Sequence, residues 1–337
     1  MSQKHNNLKR AISRSVEELR ASKEIAKRTS IIDSAIVFLT KALIQAINRG
    51  WVKESPGINM LLRRKHTIMR KYFEEVFTDF VQGYEFEKTV PEADPNLEKV
   101  IWLCWWQGEE NAPDITKKCI ESIRKNAGGH SVIVINEENY KEYVELPKWL
   151  EEKRKAGVIS RTHYSDVLRL FLLSTYGGLW LDATVYCATS ELSKYLEYPL
   201  WTVKRPGYGH LSVSGGRFVT GSVGCNLENR WIFAVFRDFL LQYWKKNDLL
   251  LDYLVFDYLI DLAMRKDAQL AHCFESIAPN NPNSDELLKI MGQPYDEALW
   301  NRVRKDTGLY YLSWKRQFPL VVNGDDTFFG MLMKGKL

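Results

Sequence analysis

The chain has 337 residues, of which 45% are hydrophobic and 12% aromatic, so it can bury a large core and is not an intrinsically disordered protein. Five widely spaced cysteines without a C-x-x-C pair argue against a disulfide framework and a zinc site, and favour a reducing compartment. The net charge of +5 is uneven, because residues 1–71 carry 16 Lys and Arg against 5 Asp and Glu, a balance of +11 that leaves −6 for the rest.

Residues 1–92 are predicted to form a basic helical region. They contain few strand signals, and apolar residues such as Ile31, Ala35 and Leu39 recur at helical spacing. Three or four helices are expected, with breaks near Gly50 and at residues 55–57. The stretch 31–47 is interrupted by two charges and is shorter than the roughly 20 apolar residues that span a bilayer, so an amphipathic helix is expected.

The basic clusters of this region suggest a negatively charged partner. Side chains such as Arg63 and Arg64 could meet anionic lipid headgroups, or they could form the solvated face of a helical domain. No signal peptide is apparent in the polar first thirty residues. The expected location is therefore cytoplasmic, with possible peripheral contact at the inner face of an anionic membrane. A nucleic-acid partner is not expected, because the remainder of the chain is acidic.

The character of the sequence changes after residue 92. Residues 90–96 contain two prolines, which disfavour both a helix and a central strand and predict a domain boundary, so residues 93–337 form the second predicted domain. The apolar runs 100–105 and 131–135 are predicted strands, and residues 113–125 between them a helix. Strand, helix and strand in succession indicate an α/β sheet.

The stretch from Ser165 to Cys187 carries the strongest functional signal. A largely apolar helix is predicted up to Thr175, a Gly-Gly turn ends it, and a short buried strand delivers Asp182 at its carboxyl end. Ligands bind at the carboxyl ends of strands in open α/β sheets. Asp166 and Arg169 interrupt the apolar helix three residues apart and share one face. They form either an intrahelical ion pair or, with Asp182, a ligand site.

This pattern, S-D-x-L-R followed by Y-G-G-x-x-x-D, resembles the donor-sugar site of glycosyltransferases with a DXD motif. Together with residues 101–108, 111–113 and 252–258, it resembles more closely the bacterial capsular polysaccharide synthesis proteins, over about residues 98–330. The resemblance implies a Rossmann-like, nucleotide-sugar-binding core of the GT-A type with an N-terminal helical extension. It also implies a nucleotide-sugar glycosyltransferase that retains anomeric configuration.

The same resemblance implies roles for individual donor-binding residues. Asp166 and Arg169 would hold the hydroxyls of the donor sugar, with Gly178 of the turn beside them. Trp105, or alternatively Trp102, would stack on the nucleobase. Since the two tryptophans lie near each other on a predicted strand, at least one of the local tryptophans is expected to fill the core.

The resemblance also implies a metal site, from which the sequence departs. Asp182 would bind Mn²⁺ or Mg²⁺ on the donor diphosphate and take part in catalysis, but Thr184 stands where DXD has its second acid. Asp326, in an acidic turn with Asp325, is the candidate for completing the metal site; an ordinary turn is the other interpretation. Metal dependence is therefore the least supported part of the prediction.

Two further segments are candidate parts of the site. Asp257, on a predicted aromatic-rich helix, could orient or deprotonate the acceptor hydroxyl as a catalytic base, the role that an inverting transfer requires. The sequence therefore leaves open whether the transfer inverts or, as the resemblance implies, retains. The glycine-rich residues 205–224, which include His210 and Arg217, could close over the donor. The predicted function is transfer of a sugar to a glycan or lipid-linked glycan acceptor in capsular or cell-surface polysaccharide synthesis. The alternative is a non-catalytic glycan-binding or scaffold protein that kept the fold.

Overall fold

The computed structural model describes residues 16–53, 55–90, 94, 97–207, 209 and 211–337. Its N-terminal part is helical, as predicted, with α1 (16–26), α2 (Ile31–Asn48), α3 (Pro56–Val76) and α4 (Thr78–Gln82). The Ser30 side chain caps α2 by accepting a hydrogen bond from the Asp33 amide, and Ser55 caps α3 in the same way. The break expected near Gly50 is confirmed, whereas at residues 55–57 only Ser55 lies outside a helix, because α3 begins at Pro56.

A five-stranded mixed sheet forms the centre of the molecule. Its strands are β1 (Ile101–Cys104), β2 (Val132–Ile135), β3 (Gly178–Leu181), β5 (Trp201–Thr202) and β6 (Ser222–Cys225), and α5 (Asp114–Lys125) connects β1 to β2. The strands lie in the order β2-β1-β3-β6-β5, with β1 parallel to β2 and β3, and β6 antiparallel to both of its neighbours. The predicted strand, helix and strand are confirmed, and the protein is a mixed α/β protein.

Further elements surround this sheet. Strand β4 (Val185–Cys187) pairs with β7 (Leu309–Tyr311), and β8 (Val321–Val322) forms a hairpin with β9 (Asp325–Asp326). The helices are α6 (Lys148–Lys155), α7 (Arg161–Tyr176), α8 (Leu192–Tyr195), α9 (Trp231–Lys246), α10 (Val255–Lys266), α11 (Ala268–Glu275), α12 (Glu286–Ile290), α13 (Glu297–Val303) and α14 (Phe328–Met333).

The N-terminal helices share a hydrophobic core with the α/β part. The ring of Phe73 on α3 stacks on Tyr258 of α10 at 5.5 Å, and Phe77 stacks on Phe239 of α9 at 5.8 Å. These aromatic rings belong to the same cluster of buried side chains as the residues of α7 and α9. The predicted boundary at residue 92 falls on residues 91–93, which lie outside the described part of the chain.

The connection from α7 to β3 places the candidate site. The Ser160 side chain caps α7 by accepting from the His163 amide, and the helix ends at Gly177, whose φ of 68° lies in the left-handed region. All four residues of β3 are buried. The chain therefore leaves the core directly at Asp182, at the same edge of the sheet as the carboxyl end of the parallel strand β1.

Candidate active site

A cleft of about 350 Å³ lies at the carboxyl ends of β1 and β3. The end of β1 contributes Cys104 and Trp105, and α7 contributes its polar face. The segment after β3, residues 182–184, forms another side, and residues 253–257 at the start of α10 lie among the lining residues. The four predicted residues that it contains, besides Trp105, are Asp166, Arg169, Asp182 and Asp257. We call these four residues the cleft cluster.

Arg169 is the only cation of the cleft cluster, and its side chain is 4% exposed. Its Nη2 donates to Oδ1 of Asp182 at 3.1 Å, and its Nη1 lies 3.2 Å from Oδ1 of Asp166. The guanidinium also lies over the ring of Trp180 at 4.8 Å. Its Nε is buried and has no hydrogen-bond partner among the described residues. One guanidinium thus pairs with two carboxylates, in a cleft that a third carboxyl group also lines, and it keeps a buried donor unused.

Asp182 is held in place by its own strand and by a neighbouring glycine. Its Oδ1 accepts a second hydrogen bond from Nε1 of Trp180 at 2.9 Å, and its amide donates to the Gly221 carbonyl at 2.8 Å. A Cβ at Gly221 would lie 2.6 Å from Oδ2 of Asp182, so a larger residue would displace the carboxylate. Sequence reasoning missed Gly221, although it lies within the glycine-rich stretch 205–224.

Burial, together with the neighbouring charges, raises the pKa of two of these acids. Burial and the nearby Asp166 raise the pKa of Asp257 to about 7, although the positive charge of Arg169 lowers it in part. Burial also raises the pKa of Asp166, while Arg169 and His163 oppose the change. Near neutral pH, Asp257 can therefore either accept or release a proton, which is the property that a general acid–base group requires.

The segment that carries Asp257 is held from behind by the N-terminal helices. Nζ of Lys65 on α3 lies 2.7 Å from Oδ2 of Asp252, and both side chains are almost fully buried. Asp252 also accepts a hydrogen bond from the Leu254 amide at 2.9 Å. Burial alone would raise the pKa of Asp252, but Lys65 and Lys41 outweigh it and lower the pKa. No sequence pattern linked Lys65 with Asp252, because 187 positions separate them.

The two candidate tryptophans have different surroundings. Trp105 is partly buried in the cleft and meets the edge of Trp314, with ring centroids 6.0 Å apart. Trp102 is fully buried and donates its Nε1 hydrogen to the Gly177 carbonyl at 3.0 Å. Successive side chains of an extended chain alternate between its two faces, so Trp105, three residues after Trp102 and just past the end of β1, points to the opposite face. The structure places Trp102 in the core, and Trp314 is a cleft residue that the sequence reasoning missed.

Gly178 and Asp326 do not lie in the cleft. Gly178 begins β3, about 13 Å from Asp182, which follows the other end of the strand. A Cβ there would lie 2.3 Å from the Val100 carbonyl oxygen, so glycine permits close packing of β3 on β1. Asp326 lies in the β8–β9 hairpin, and Lys334 holds its two carboxylate oxygens at 2.7 and 2.6 Å. The structure therefore does not bring either residue to the cleft, because Gly178 lies at the opposite end of β3 and Asp326 is paired with Lys334 in the hairpin.

The described part of the glycine-rich stretch 205–224 contacts the rest of the protein through its side chains. Thr220 lines the cleft, but Arg217 pairs with Asp261 of α10 rather than facing the cleft. His210 lies outside the described residues.

His163 is buried, bonds to Ser160 at 2.7 Å and contributes to the start of α7. Among the described residues, no group of three or more His, Cys, Asp and Glu side chains is arranged to hold a metal ion.

Comparison with known proteins gives three similarities. A family model described as "capsular polysaccharide synthesis protein" matches residues 51–332. The O-glycosyltransferase PaGT of Phomopsis amygdali is 33% identical over 94 residues, so the match spans 25% of this chain and 23% of that protein. The solved structure of the PaToxG glycosyltransferase is 18% identical and covers 62% of this chain and 83% of its own, with a TM-score of 0.33.

Proposed function

We propose that this chain, which belongs to the capsular polysaccharide synthesis protein family, transfers a sugar from a nucleotide-sugar to a glycan or lipid-linked glycan acceptor. The proposed product is a capsular or other cell-surface polysaccharide. The proposal extends to the fold, for which we infer a nucleotide-sugar-binding core of the GT-A type. The similarity to an O-glycosyltransferase over a quarter of the chain supports a glycosyl-transfer reaction.

The cleft cluster is the observation that carries this proposal. A sugar offers several hydroxyl groups, each of which can donate to a carboxylate and accept from a guanidinium. Asp166 and Asp182 supply acceptor oxygens, and the buried Nε of Arg169 has no partner within the described structure. Because an unpaired buried donor costs free energy, a bound hydroxyl oxygen would stabilise it. We therefore assign Asp166 and Arg169 to the donor sugar.

The aromatic wall of the cleft suits the base of the donor nucleotide. Trp105 lines the cleft, and Trp314 beside it is 47% exposed. Base stacking on an aromatic side chain contributes on the order of 1 to 3 kcal/mol. We propose that Trp105 stacks on the base and that Trp314 closes that end of the cleft.

A divalent cation could be held in this cleft only if the donor diphosphate supplied some of its oxygen ligands. Asp182 and Thr184 are the oxygen-bearing side chains at the end of β3, and Asp326 is engaged by Lys334 elsewhere. Mg²⁺ and Mn²⁺ are commonly held by one or two carboxylates together with substrate phosphates. We propose that Asp182 would hold such a cation on the diphosphate, where it would neutralise the charge of the leaving group.

Asp257 is the proposed acid–base group on the acceptor side. Its pKa of about 7 lets it remove a proton from an acceptor hydroxyl near neutral pH. Attack by that hydroxyl opposite the leaving diphosphate would invert the anomeric centre. Attack on the same face as the diphosphate retains it: the bond from the anomeric carbon to the acceptor oxygen forms as the bond to the diphosphate breaks, and Asp257 takes the hydroxyl proton. Resemblance to the family implies retention, which is the outcome we propose. Proton NMR of the first product, recorded before the sugar equilibrates, distinguishes the two outcomes.

The proposal is tested by incubating the full chain with a panel of nucleotide-sugars and Mn²⁺, and measuring release of the nucleoside diphosphate. We expect one donor to be bound and slowly hydrolysed, and Asp182→Ala to abolish hydrolysis while the matched Asp326→Ala variant does not. Binding of a donor without turnover, unaffected by acceptor glycans, would indicate the glycan-binding alternative. If no nucleotide-sugar binds, or if both variants behave alike, the proposal fails.

A further inference from the structure

Five large apolar side chains of the N-terminal helical region are more than 60% exposed. They are Ile31, Ile32, Leu39, Trp51 and Met60, exposed by 82, 72, 65, 73 and 66%. They belong to α2, to the segment that follows it and to the first turns of α3. We call these five residues the apolar face. Contiguous exposed apolar surface of this kind marks a site of contact with another molecule or with a membrane.

The spacing along α2 joins two residues of the apolar face, Ile31 and Leu39, into one exposed stripe. Ile31, Ala35, Leu39 and Ala42 follow one another at intervals of four, four and three, so they occupy one stripe of the helix. All four are exposed, and no charged residue interrupts the stripe. The helix therefore presents apolar surface along its length to the outside of the protein.

The other side of α2 is fastened to the protein body. Ser34, Val37 and Thr40 are buried, and Oγ of Ser34 donates to the Ser22 carbonyl. Lys41 pairs with Glu18 at 2.9 Å and also donates to the Leu251 carbonyl. Among the described residues, α2 is the one helix that length and composition would allow to cross a bilayer. These attachments instead hold it alongside α1 and α3, with one face outward.

Basic side chains surround the apolar face. Arg49 lies over the ring of Trp51 at 4.8 Å, and Lys53 is exposed beside it. Arg64 is exposed on α3, where it pairs with Asp33 at 3.0 Å. By contrast, Lys65 is buried against Asp252 and is not available to a partner. Apolar residues flanked by lysine and arginine are typical of helices that lie in the interface of anionic membranes.

We propose that the apolar face lies in the plane of an anionic lipid bilayer, with its side chains inserted below the headgroups and Arg49, Lys53 and Arg64 among the phosphates. Anionic lipid is favoured over a second copy of the chain, because a symmetric contact would bring like basic charges together. Lys65 and Lys41 connect these helices to the segment 251–257, so the cleft would be held at a fixed distance from the membrane surface. This inference stands whether or not the chain transfers sugars.

Co-sedimentation of the full chain with vesicles tests the inference. We expect binding to phosphatidylcholine vesicles that contain phosphatidylglycerol, weak binding to phosphatidylcholine alone, and weakening with added salt. Leu39→Glu combined with Trp51→Ala should reduce binding about tenfold or more, because it removes inserted apolar surface. The control Leu320→Glu changes a residue that is 53% exposed outside this face, and should bind as the unaltered chain does.

Circular dichroism and the unfolding temperature show whether each variant folds. The inference is overturned if the folded double variant binds anionic vesicles as tightly as the unaltered chain, or if no vesicle binds either protein. It is also overturned if sedimentation velocity shows a concentration-dependent dimer that the double variant abolishes, since the face would then join two copies.

Discussion

Two carboxylates one turn apart on α10 have opposite electrostatic surroundings. Asp257 lines the cleft, where the one arginine among the described lining residues, Arg169, is already paired with Asp166 and Asp182. Asp261 is 3% exposed on its side chain and contacts three arginines: Arg70 at 2.9 Å, Arg265 at 3.2 Å, and Arg217. We call Asp261 and these arginines the clasp, because they join α3, the glycine-rich stretch and α10.

The balance of charge explains why the two carboxylates titrate differently. Burial raises the pKa of both, but only at Asp261 do Arg70 and Arg217 outweigh it and lower the pKa. An acid with surplus cations stays ionised and holds elements together. A buried acid whose neighbours are mostly other acids takes up a proton near neutral pH, and its oxygens remain able to bind a ligand. On the same helix, Asp261 therefore stabilises the fold, whereas Asp257, one turn away, is the proposed acid–base group.

The largest effect is expected when the cleft cluster loses its cation. Arg169→Met leaves Asp166 without its cation and Asp182 with only Trp180 as a side-chain donor among the described residues, which should cost about 3 kcal/mol of unfolding free energy and reduce turnover by about 10³. Denaturant unfolding and donor hydrolysis measure the two effects. Arg169→Lys, which keeps the charge but not the two-pronged geometry, should recover stability more than turnover. Unchanged turnover in the methionine variant would mean that Arg169 is only a structural ion-pair partner.

Asp257→Asn should act on activity and on the pH dependence of stability. Turnover should fall about 10²-fold, and the rise of activity near pH 7 should disappear. Because folding raises the pKa of Asp257, its contribution to stability is present below the unfolded value of 3.8 and is lost as pH increases to about 7. The variant should therefore gain stability relative to the unaltered chain over that range. Equal pH dependence of unfolding in the two proteins contradicts the assignment.

Asp261→Asn should show the reverse pattern. Removal of the shared acceptor leaves three arginines facing one another, so the unfolding free energy should fall by about 3 kcal/mol. Turnover per folded molecule should change by less than about twofold, because the clasp does not line the cleft. Since folding lowers the pKa of Asp261, the loss should be largest at neutral pH and disappear in acid. A large loss of turnover in the folded variant would remove the distinction between the clasp and the cleft cluster.

The smallest expected effect concerns the metal. Thr184→Asp adds a carboxylate at the end of β3 and should raise the affinity for Mn²⁺ in the presence of a nucleoside diphosphate about tenfold, as measured by calorimetry. Thr184→Asn, which adds a neutral oxygen, is the matched control and should change affinity less. If neither variant changes Mn²⁺ binding, position 184 does not face the cation, and Asp182 alone would have to supply the protein ligand.

The candidate site was predictable where its residues follow one another along the chain. Asp166, Arg169 and Asp182 come from a helix, a glycine turn and a strand, whose geometry depends on local periodicity and on the φ values that glycine allows. Trp314 and Gly221 were not predictable in this way, because they reach the cleft from distant segments. Neither belongs to a local pattern that includes Asp182.

The sequence by itself determined the helical N-terminal region, the strand-helix-strand core and the delivery of Asp182 to the carboxyl edge of the sheet, because these depend on local periodicity and turn chemistry. Tertiary structure alone decided that Trp102 is buried, that Asp326 pairs with Lys334, and that Lys65 supports the segment beside the cleft. It also decided that Asp261, rather than Asp257, contacts three arginine side chains. Such outcomes depend on which side chains meet across long sequence separations, where burial and charge balance are set by the whole fold.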